Sequence, residues 1–362
     1  MTRSLLLIVL DGCEPCYLER AETPHLDGLE SHGQSFQTNA AVPTVTNVNV
    51  TSLLTGSPPS RHGITGNTYL RAEDGALVPM NDRAQLLCPT LFGRAQEAGG
   101  TTAFLSAKRK LLSLFEPDLD YSLSVEEPPD WAVDAVGDSP DIYDREANLW
   151  LLEAAASLLR SQRPSLLVAC TTDLVPHLHR PEDPAARDHF ERIDALIGRL
   201  VELAPEAAIV VTADHGMRDK PQITDLRPCV EAFDGRVVPV IKDPYTLHHG
   251  NLGGAVYVHL ERGDRAAEAS TELLEMRGVD RVLTADEAHD EFALHADRVG
   301  HLVVLGDADT VFSYGEPARS SDALRSHGSL HERAVPVITT NLEPISAEYS
   351  WEVTAAAFEM TR

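Results

Sequence analysis

The chain has 362 residues, of which 43% are hydrophobic, and its formal net charge is -26. This length and apolar content allow a large core, and the negative charge argues against nucleic acid or an anionic membrane as a standing partner. No run of about 18 apolar residues predicts a membrane span, and five scattered cysteines fit a reducing, cytoplasmic setting.

The first half of the chain alternates apolar runs with amphipathic segments. Residues 4–10 are apolar and end at Asp11-Gly12 without a small-residue cleavage site, which indicates a buried strand rather than a signal peptide. Further buried strands are predicted at 101–106, 165–170 and 207–211, and helices at 90–98, 144–160 and 185–204. This alternation predicts an α/β fold with a mainly parallel sheet and helices on both faces.

The pattern changes after about residue 221. Shorter strands are predicted at 237–241, 255–260 and 301–305, a helix at 265–276, then a polar stretch to residue 300, and a last core strand at 334–339. We therefore expect a core made of residues 1–221 and 321–362. Residues 222–320 would form a small inserted cap over the active site.

Aspartates follow three of the predicted strands. Asp11 ends the first run, Asp173 follows residues 165–170, and Asp214 follows residues 207–211. Because ligands bind outside the carboxyl ends of the strands in an open parallel sheet, the three carboxylates should converge. His177 lies four residues after Asp173, and His215 directly follows Asp214. His327 precedes the last predicted core strand. Mixed Asp/His sets suit zinc or a similar divalent ion, and two such ions can clamp attacking and leaving groups.

Thr46 is the candidate nucleophile. The segment after it has a helical pattern, which would place its hydroxyl at a helix N-terminus, where free amides favour an anionic phosphoryl oxygen. The alternative is that Thr46 only caps the helix. A threonine hydroxyl needs a base or a metal to lower its pKa, and Asp11, Asp214 and His215 are the natural companions.

The order of these motifs carries a resemblance. Asp-Gly near the N-terminus, a threonine, Asp-x-x-x-His, Asp-His-Gly-Met and a late Ser-His-Gly resemble the alkaline phosphatase superfamily and its nucleotide pyrophosphatase/phosphodiesterase branch. Over about residues 4–340 the chain is similar to the phosphonoacetate hydrolases. The strings that carry this likeness are Asp11-Gly12-Cys13-Glu14-Pro15, Thr46-Asn47-Val48-Asn49, His62-Gly63-Ile64-Thr65-Gly66-Asn67, Ala107-Lys108-Arg109-Lys110-Leu111, His248-His249-Gly250 and Leu324-Arg325-Ser326-His327-Gly328.

The resemblance implies a three-layer α/β/α, alkaline-phosphatase-like core and a two-metal hydrolase. It implies zinc, with manganese or iron as alternatives. One ion would be held by Asp173, His177 and His327, and the other by Asp11, Thr46, Asp214 and His215. Thr46 would attack phosphorus, and Asn67 would donate a hydrogen bond to the phosphoryl group. Lys108 and Lys110 would bind the carboxylate of phosphonoacetate, whose C–P bond would be cleaved to acetate and phosphate through a phospho-threonine.

Other functions compete with this one. Sulfatases need Cys-x-Pro-x-Arg, and Cys13-Glu14-Pro15-Cys16-Tyr17 lacks the arginine. A phosphodiesterase or nucleotide pyrophosphatase would use the same metals and threonine but stack a nucleoside on aromatic rings, for which Tyr69 and Tyr121 are candidates. A non-enzymatic metal-binding protein would have no need of a metal-activated threonine. Each of the enzymatic functions predicts a small anionic phosphonate or phosphoester as the substrate. The sequence does not fix the oligomeric state, and a homodimer is one of the alternatives.

Overall fold

The computed structural model describes residues 2–71, 73–245, 249–314 and 324–362. The strands are β1 Leu5–Val9, β2 Gln34–Asn39, β3 Thr68–Leu70, β4 Leu77–Pro79, β5 Thr102–Ser106, β6 Tyr121–Ser124, β7 Leu166–Cys170, β8 Ala208–Thr212, β9 Arg218–Asp219, β10 Gln222–Thr224, β11 Gly235–Pro239, β12 Ala255–Leu260, β13 Val279–Thr284, β14 Leu302–Gly306, β15 Thr310–Phe312, β16 Arg325–Ser326 and β17 Ala334–Thr340.

Helices connect these strands along the chain. They are α1 Pro15–Arg20, α2 Pro24–His32, α3 Thr46–Thr55, α4 Pro59–His62, α5 Leu91–Glu97, α6 Arg109–Leu112, α7 Asp130–Val136, α8 Ala147–Ser161, α9 Leu174–Leu178, α10 Pro184–Leu203, α11 Arg227–Glu231, α12 Ala266–Leu274, α13 Ala285–Phe292 and α14 Ser350–Thr361. Within the described part of the chain, none of them is both long and apolar enough to cross a bilayer.

A seven-stranded sheet in the order β2-β17-β8-β1-β7-β5-β6 forms the centre of the molecule. Strands β8, β1, β7, β5 and β6 are parallel, and β17 runs antiparallel to both of its neighbours. Strand β1 is buried along its whole length because its alternate side chains enter two cores, Leu6 and Ile8 on one face and Leu5 and Leu7 on the other. The predicted three-layer α/β/α architecture with a mainly parallel sheet is confirmed.

A second, antiparallel sheet in the order β11-β12-β14-β13 lies between residues 235 and 306. These strands fall inside the range expected for the cap, whose limits at 222 and 320 stay predictions; residue 320 lies outside the described residues. The polar stretch expected up to residue 300 contains β13 and α13, two elements that were not predicted from the sequence. Strand β13 buries only Leu283 fully, so its sequence carries little apolar signal.

Candidate active site

The three predicted aspartates lie side by side because their strands are neighbours in the sheet. Asp11, Asp173 and Asp214 follow β1, β7 and β8, whose order is β8-β1-β7. Gly12 allows their close approach: it has a φ of 73°, and a Cβ there would lie 3.0 Å from the Cβ of Asp173. The Gly12 amide donates a hydrogen bond to Oδ1 of Asp214 over 3.1 Å. A glycine after Asp11 thus lets the three carboxylates lie close together at the carboxyl ends of the strands.

The three predicted histidines are oriented in the same way. Nδ1 of His177, His215 and His327 lies 2.8, 2.9 and 2.6 Å from the main-chain carbonyl oxygens of Arg325, Gly216 and Thr44, respectively. A carbonyl only accepts, so each Nδ1 carries the proton and donates it. The Nε2 lone pairs therefore face the carboxylates, which is the tautomer that a metal ligand needs.

The ligand atoms are close enough to share metal ions. Two sets, Asp173 with His215 and His327 and Asp11 with Asp214 and His215, each have their ligand atoms within 4.8 Å of one another. Nε2 of His177 lies 3.1 Å from Oδ2 of Asp173, which adds this histidine to the first set. The His215 and His327 rings stack with centroids 3.9 Å apart. All six side chains come together, although His215 stands between the two sets rather than belonging to one.

The electrostatics of the site fit bound cations. Burial, and then the neighbouring carboxylates, raise the pKa of Asp11 to about 7, and burial raises that of Asp214 to about 7. Burial also lowers the pKa of His327 well below its ordinary value. Oδ2 of Asp214 is buried and accepts no hydrogen bond from the described residues. Bound divalent cations would stabilise the ionised form of these carboxylates, and Oδ2 of Asp214 could bind one of them. The residues therefore fit a metal centre.

Thr46 is the first residue of α3, and Val45 is its N-cap. Its Oγ1 lies 3.4 Å from Oδ1 of Asp11 and 3.2 Å from Nε2 of His215. The hydroxyl therefore points at the carboxylate and imidazole cluster instead of capping the helix. Its position at the amino end of a ten-residue helix also suits an approaching anion.

The three residues predicted to bind substrate contact protein carboxylates. Nζ of Lys108 lies 2.8 Å from both Oδ2 of Asp11 and Oδ1 of Asp173, so it neutralises carboxylates of both sets. Nζ of Lys110 lies 2.5 Å from Oδ2 of Asp243, and Nδ2 of Asn67 lies 2.6 Å from the same oxygen. All three line the predicted site, but Lys108 lies directly beside metal-binding candidates rather than across the cavity from them.

A cavity of about 10 Å³ is lined by Thr46, Lys110 and His327. Asp243, Tyr245 and His249 also line it, and the sequence predicted no role for these three residues. Asp243 lies in an ordinary Lys-Asp-Pro turn, so no local pattern singles it out; His249 stood in a family-like string without a role, and its neighbour His248 lies outside the described residues. A larger groove of about 640 Å³ between α8 and α10 contains none of the predicted site residues.

The two tyrosines considered for nucleoside stacking do not line this cavity. Tyr121 pairs with Ala103 near the beginning of β5, at the end of the sheet opposite Lys108, and its hydroxyl donates a hydrogen bond to Gln162. Tyr69 packs under the guanidinium of Arg298. Tyr245 is the aromatic residue that the described chain contributes to the cavity wall, and Lys110 Nζ lies 5.3 Å from its ring centroid.

Comparison with known proteins identifies relatives of this chain. The sequence model of the family described as type I phosphodiesterase / nucleotide pyrophosphatase matches residues 5–330. Phosphonoacetate hydrolase from Sinorhizobium meliloti 1021, solved with phosphonoformate and with phosphonoacetate, is 31% identical with a TM-score of 0.92, over 100% of this chain and 96% of that one. Murine ectonucleotide pyrophosphatase / phosphodiesterase 5, 17% identical with a TM-score of 0.73 over 99% and 95% of the chains, shares the fold.

Proposed function

This chain belongs to the type I phosphodiesterase / nucleotide pyrophosphatase family, and we propose that within it the chain is a two-metal hydrolase of the C–P bond of phosphonoacetate. The observation that carries the proposal is the position of the Thr46 hydroxyl, which lies beside Asp11 and His215 while Thr46 and Lys110 line the same small cavity. The likeness to phosphonoacetate hydrolase over the whole chain supports the choice of substrate.

The proposed reaction has two displacements at phosphorus. The Thr46 oxygen gives up its proton and bonds to phosphorus, and the C–P bond breaks with its electron pair going to the carbon. That carbon takes a proton, which gives acetate and leaves a phospho-threonine. Water then attacks the phosphorus, so that phosphate leaves and the Thr46 hydroxyl is restored. The sum is phosphonoacetate and water giving acetate and phosphate.

Two divalent ions, with zinc expected from the ligand types, would be held by the residues assigned above and would supply charge stabilisation at phosphorus and a lower pKa for the threonine hydroxyl. The protein's own groups orient the reactants. The amino end of helix α3 would bind phosphoryl oxygens, because it presents free N–H donors. Asn67, which the resemblance assigned to the same task, donates to the carboxylate of Asp243 and so belongs to the carboxylate-binding side of the cavity. The buried setting of Thr46, 4% exposed, keeps bulk water from the first displacement.

A C–P bond is hard to break because the leaving group is a carbanion. In phosphonoacetate the adjacent carboxylate lets the charge spread into an enolate-like form. Cationic groups near that carboxylate therefore stabilise the transition state more than the ground state. Lys108 and Lys110 are the lysines at the cavity, and they would provide this charge locally in an otherwise acidic protein.

The alternative is a phosphodiesterase or nucleotide pyrophosphatase that uses the same threonine and metals. The family match supports this reaction class equally, whereas the cavity lacks Tyr69 and Tyr121 as stacking surfaces. An activity panel at equal metal loading separates the two. It compares phosphonoacetate, methylphosphonate, a nitrophenyl phosphate diester, a monoester and a nucleotide sugar. Release of phosphate from phosphonoacetate, with methylphosphonate inert, supports the proposal; strong diesterase activity without phosphonoacetate turnover refutes it.

A further inference from the structure

Three donors of the cavity wall converge on one protein carboxylate. Oδ2 of Asp243 lies within 2.5 Å of Lys110 Nζ and 2.6 Å of Asn67 Nδ2, and Oδ1 lies 3.2 Å from Nε2 of His249. Lys110 and Asn67 reach this point from different parts of the chain: Lys110 lies within α6, and Asn67 directly precedes β3. A carboxylate held by a lysine, an amide and an imidazole occupies a complete anion-binding subsite.

Asp243 is a charged occupant of that subsite. Its side chain is 8% exposed, and burial alone would raise its pKa; the charge of Lys110 and the hydrogen bond from His249 outweigh burial and hold the pKa well below its ordinary value. Lys110 and His249 therefore favour the anionic form of the Asp243 carboxylate. It neutralises Lys110, which the proposed function needs for the substrate's own carboxylate.

Asp243 and the substrate cannot use these donors together. The cavity of about 10 Å³ holds roughly one water molecule, so it has no room for a carboxylate beside that of Asp243. Two carboxylates at hydrogen-bond distance from one ammonium would also repel each other in a site with little water. Asp243 lies on the loop between β11 and β12, outside regular structure, whereas Lys110 is anchored in α6. The side chain that can give way is therefore that of Asp243.

We propose that Asp243 is an internal ligand of the subsite formed by Lys110, Asn67 and His249, and that the carboxylate of the substrate displaces it on binding. This inference rests on the proposed function for the identity of the displacing group. Asp243 is then a specificity-determining residue: a ligand with a second anionic group gains Lys110 in exchange for Asp243, whereas a ligand without one leaves the internal pair in place. The internal pair lowers the affinity for every ligand that must break it.

The test compares Asp243→Ala with its parent in metal-loaded protein that also carries Thr46→Ala, so that ligands bind without turnover. Titration calorimetry should give a Kd for phosphonoacetate about tenfold lower in Asp243→Ala, if the internal pair occupies the subsite about nine-tenths of the time. The Kd for methylphosphonate, which lacks the carboxylate, should change less than about twofold by the same relation. Weaker phosphonoacetate binding, or equal changes for both ligands, would overturn the proposal.

Formate tests the subsite independently of the substrate. It should raise the Tm of Asp243→Ala and leave that of the parent unchanged, because only the variant has a vacant place for a carboxylate; equal shifts would overturn the inference. Asp264→Ala, which removes an exposed carboxylate paired with Arg262, is the matched control and should behave as the parent. If Asp243→Ala does not fold, Asp243→Asn replaces it, with the same expected direction. Absence of phosphonoacetate turnover by the unsubstituted enzyme would refute the proposed substrate. The formate experiment would still test whether Asp243 occupies the carboxylate subsite.

Discussion

The main-chain carbonyl of Thr44 accepts a hydrogen bond from Nδ1 of His327 over 2.6 Å. The segment that leads into Thr46 is therefore tied directly to one of the metal-binding candidates. The Thr44 hydroxyl continues the link, since it accepts from the Gly328 amide over 2.8 Å and donates to the Ser329 carbonyl over 2.9 Å. The candidate nucleophile and the candidate metal ligands are thus positioned by the same loop contact.

Glu332 should stabilise this link. Its Oε2 accepts from the Ser329 amide over 2.9 Å, and Lys220 Nζ lies 2.7 Å from its Oε1, with both side chains fully buried. Glu332→Gln leaves the Lys220 charge unpaired, so the free energy of unfolding of the metal-loaded protein should fall by about 3 kcal/mol. Metal affinity should drop about tenfold, as loss of a group that orients a ligand usually does. Denaturant unfolding and metal titration measure the two effects.

The matched control is Glu291→Gln, because Glu291 pairs with Arg281 at the surface, where both side chains are more than a third exposed. Its cost should stay below about 1 kcal/mol, without any change in metal affinity. If Glu332→Gln behaved like this control, the buried pair would have no part in holding Thr44 and His327.

The metal candidates could be predicted from sequence because local signals coincide with topology. Asp11, Asp173 and Asp214 each follow a buried apolar strand, and the carboxyl ends of neighbouring parallel strands meet at one sheet edge. Asp243 has no such signal, since it comes from a loop of a different sheet and reaches the cavity only through tertiary packing. Lys108 follows β5, the neighbour of β7, so topology places it near the aspartates, but the sequence does not specify that its ammonium contacts Asp11 and Asp173.

The two edge strands of the central sheet, β2 and β6, were also not predicted from the sequence. Strand β2, with the sequence QSFQTN, lies at the sheet edge and fully buries only Thr38. Strand β6 forms the opposite edge and is half polar. Both lack the apolar run that identified the central strands, because an edge strand in this sheet is covered less completely than β1 or β7. The apolar runs of the sequence therefore predict the central strands of the sheet but not its edge strands.

Metal content is the second prediction. Protein purified without chelators should contain about two equivalents of divalent metal, because two sets of Asp and His ligands are present. Removal by a chelator should abolish phosphonoacetate and diester hydrolysis alike, and zinc should restore both. Elemental analysis and activity before and after chelation are the measurements. A folded enzyme that kept its full rate after exhaustive chelation would show that the Asp/His cluster does not act through metal.

The third prediction concerns the nucleophile. Thr46→Ala should lower kcat by several orders of magnitude, since it removes the hydroxyl that lies within 3.4 Å of Asp11 and 3.2 Å of His215. Thr46→Ser should retain part of the activity. Thr51→Ala is a matched control in the same helix, because the Thr51 hydroxyl donates to the Asn47 carbonyl and not to the site. Circular dichroism checks the folds, and rapid acid quenching of the parent should trap phospho-threonine. Near-normal rates in Thr46→Ala would mean that water attacks directly.

The last prediction separates the two lysines. Lys110 forms its ion pair with Asp243, so Lys110→Ala should reduce kcat/KM for phosphonoacetate at least about a hundredfold, as loss of one charge-stabilising donor does. The same variant should change hydrolysis of an activated nitrophenyl diester little, because that substrate has no carboxylate. Lys108→Ala should impair both substrates, since Lys108 also lies 2.8 Å from Asp11 and Asp173. Steady-state kinetics at saturating metal give the four values. Equal losses on both substrates in Lys110→Ala would mean that Lys110 has a structural role. That result would favour the diesterase, because phosphonoacetate has a carboxylate for Lys110 to bind and the diester has none.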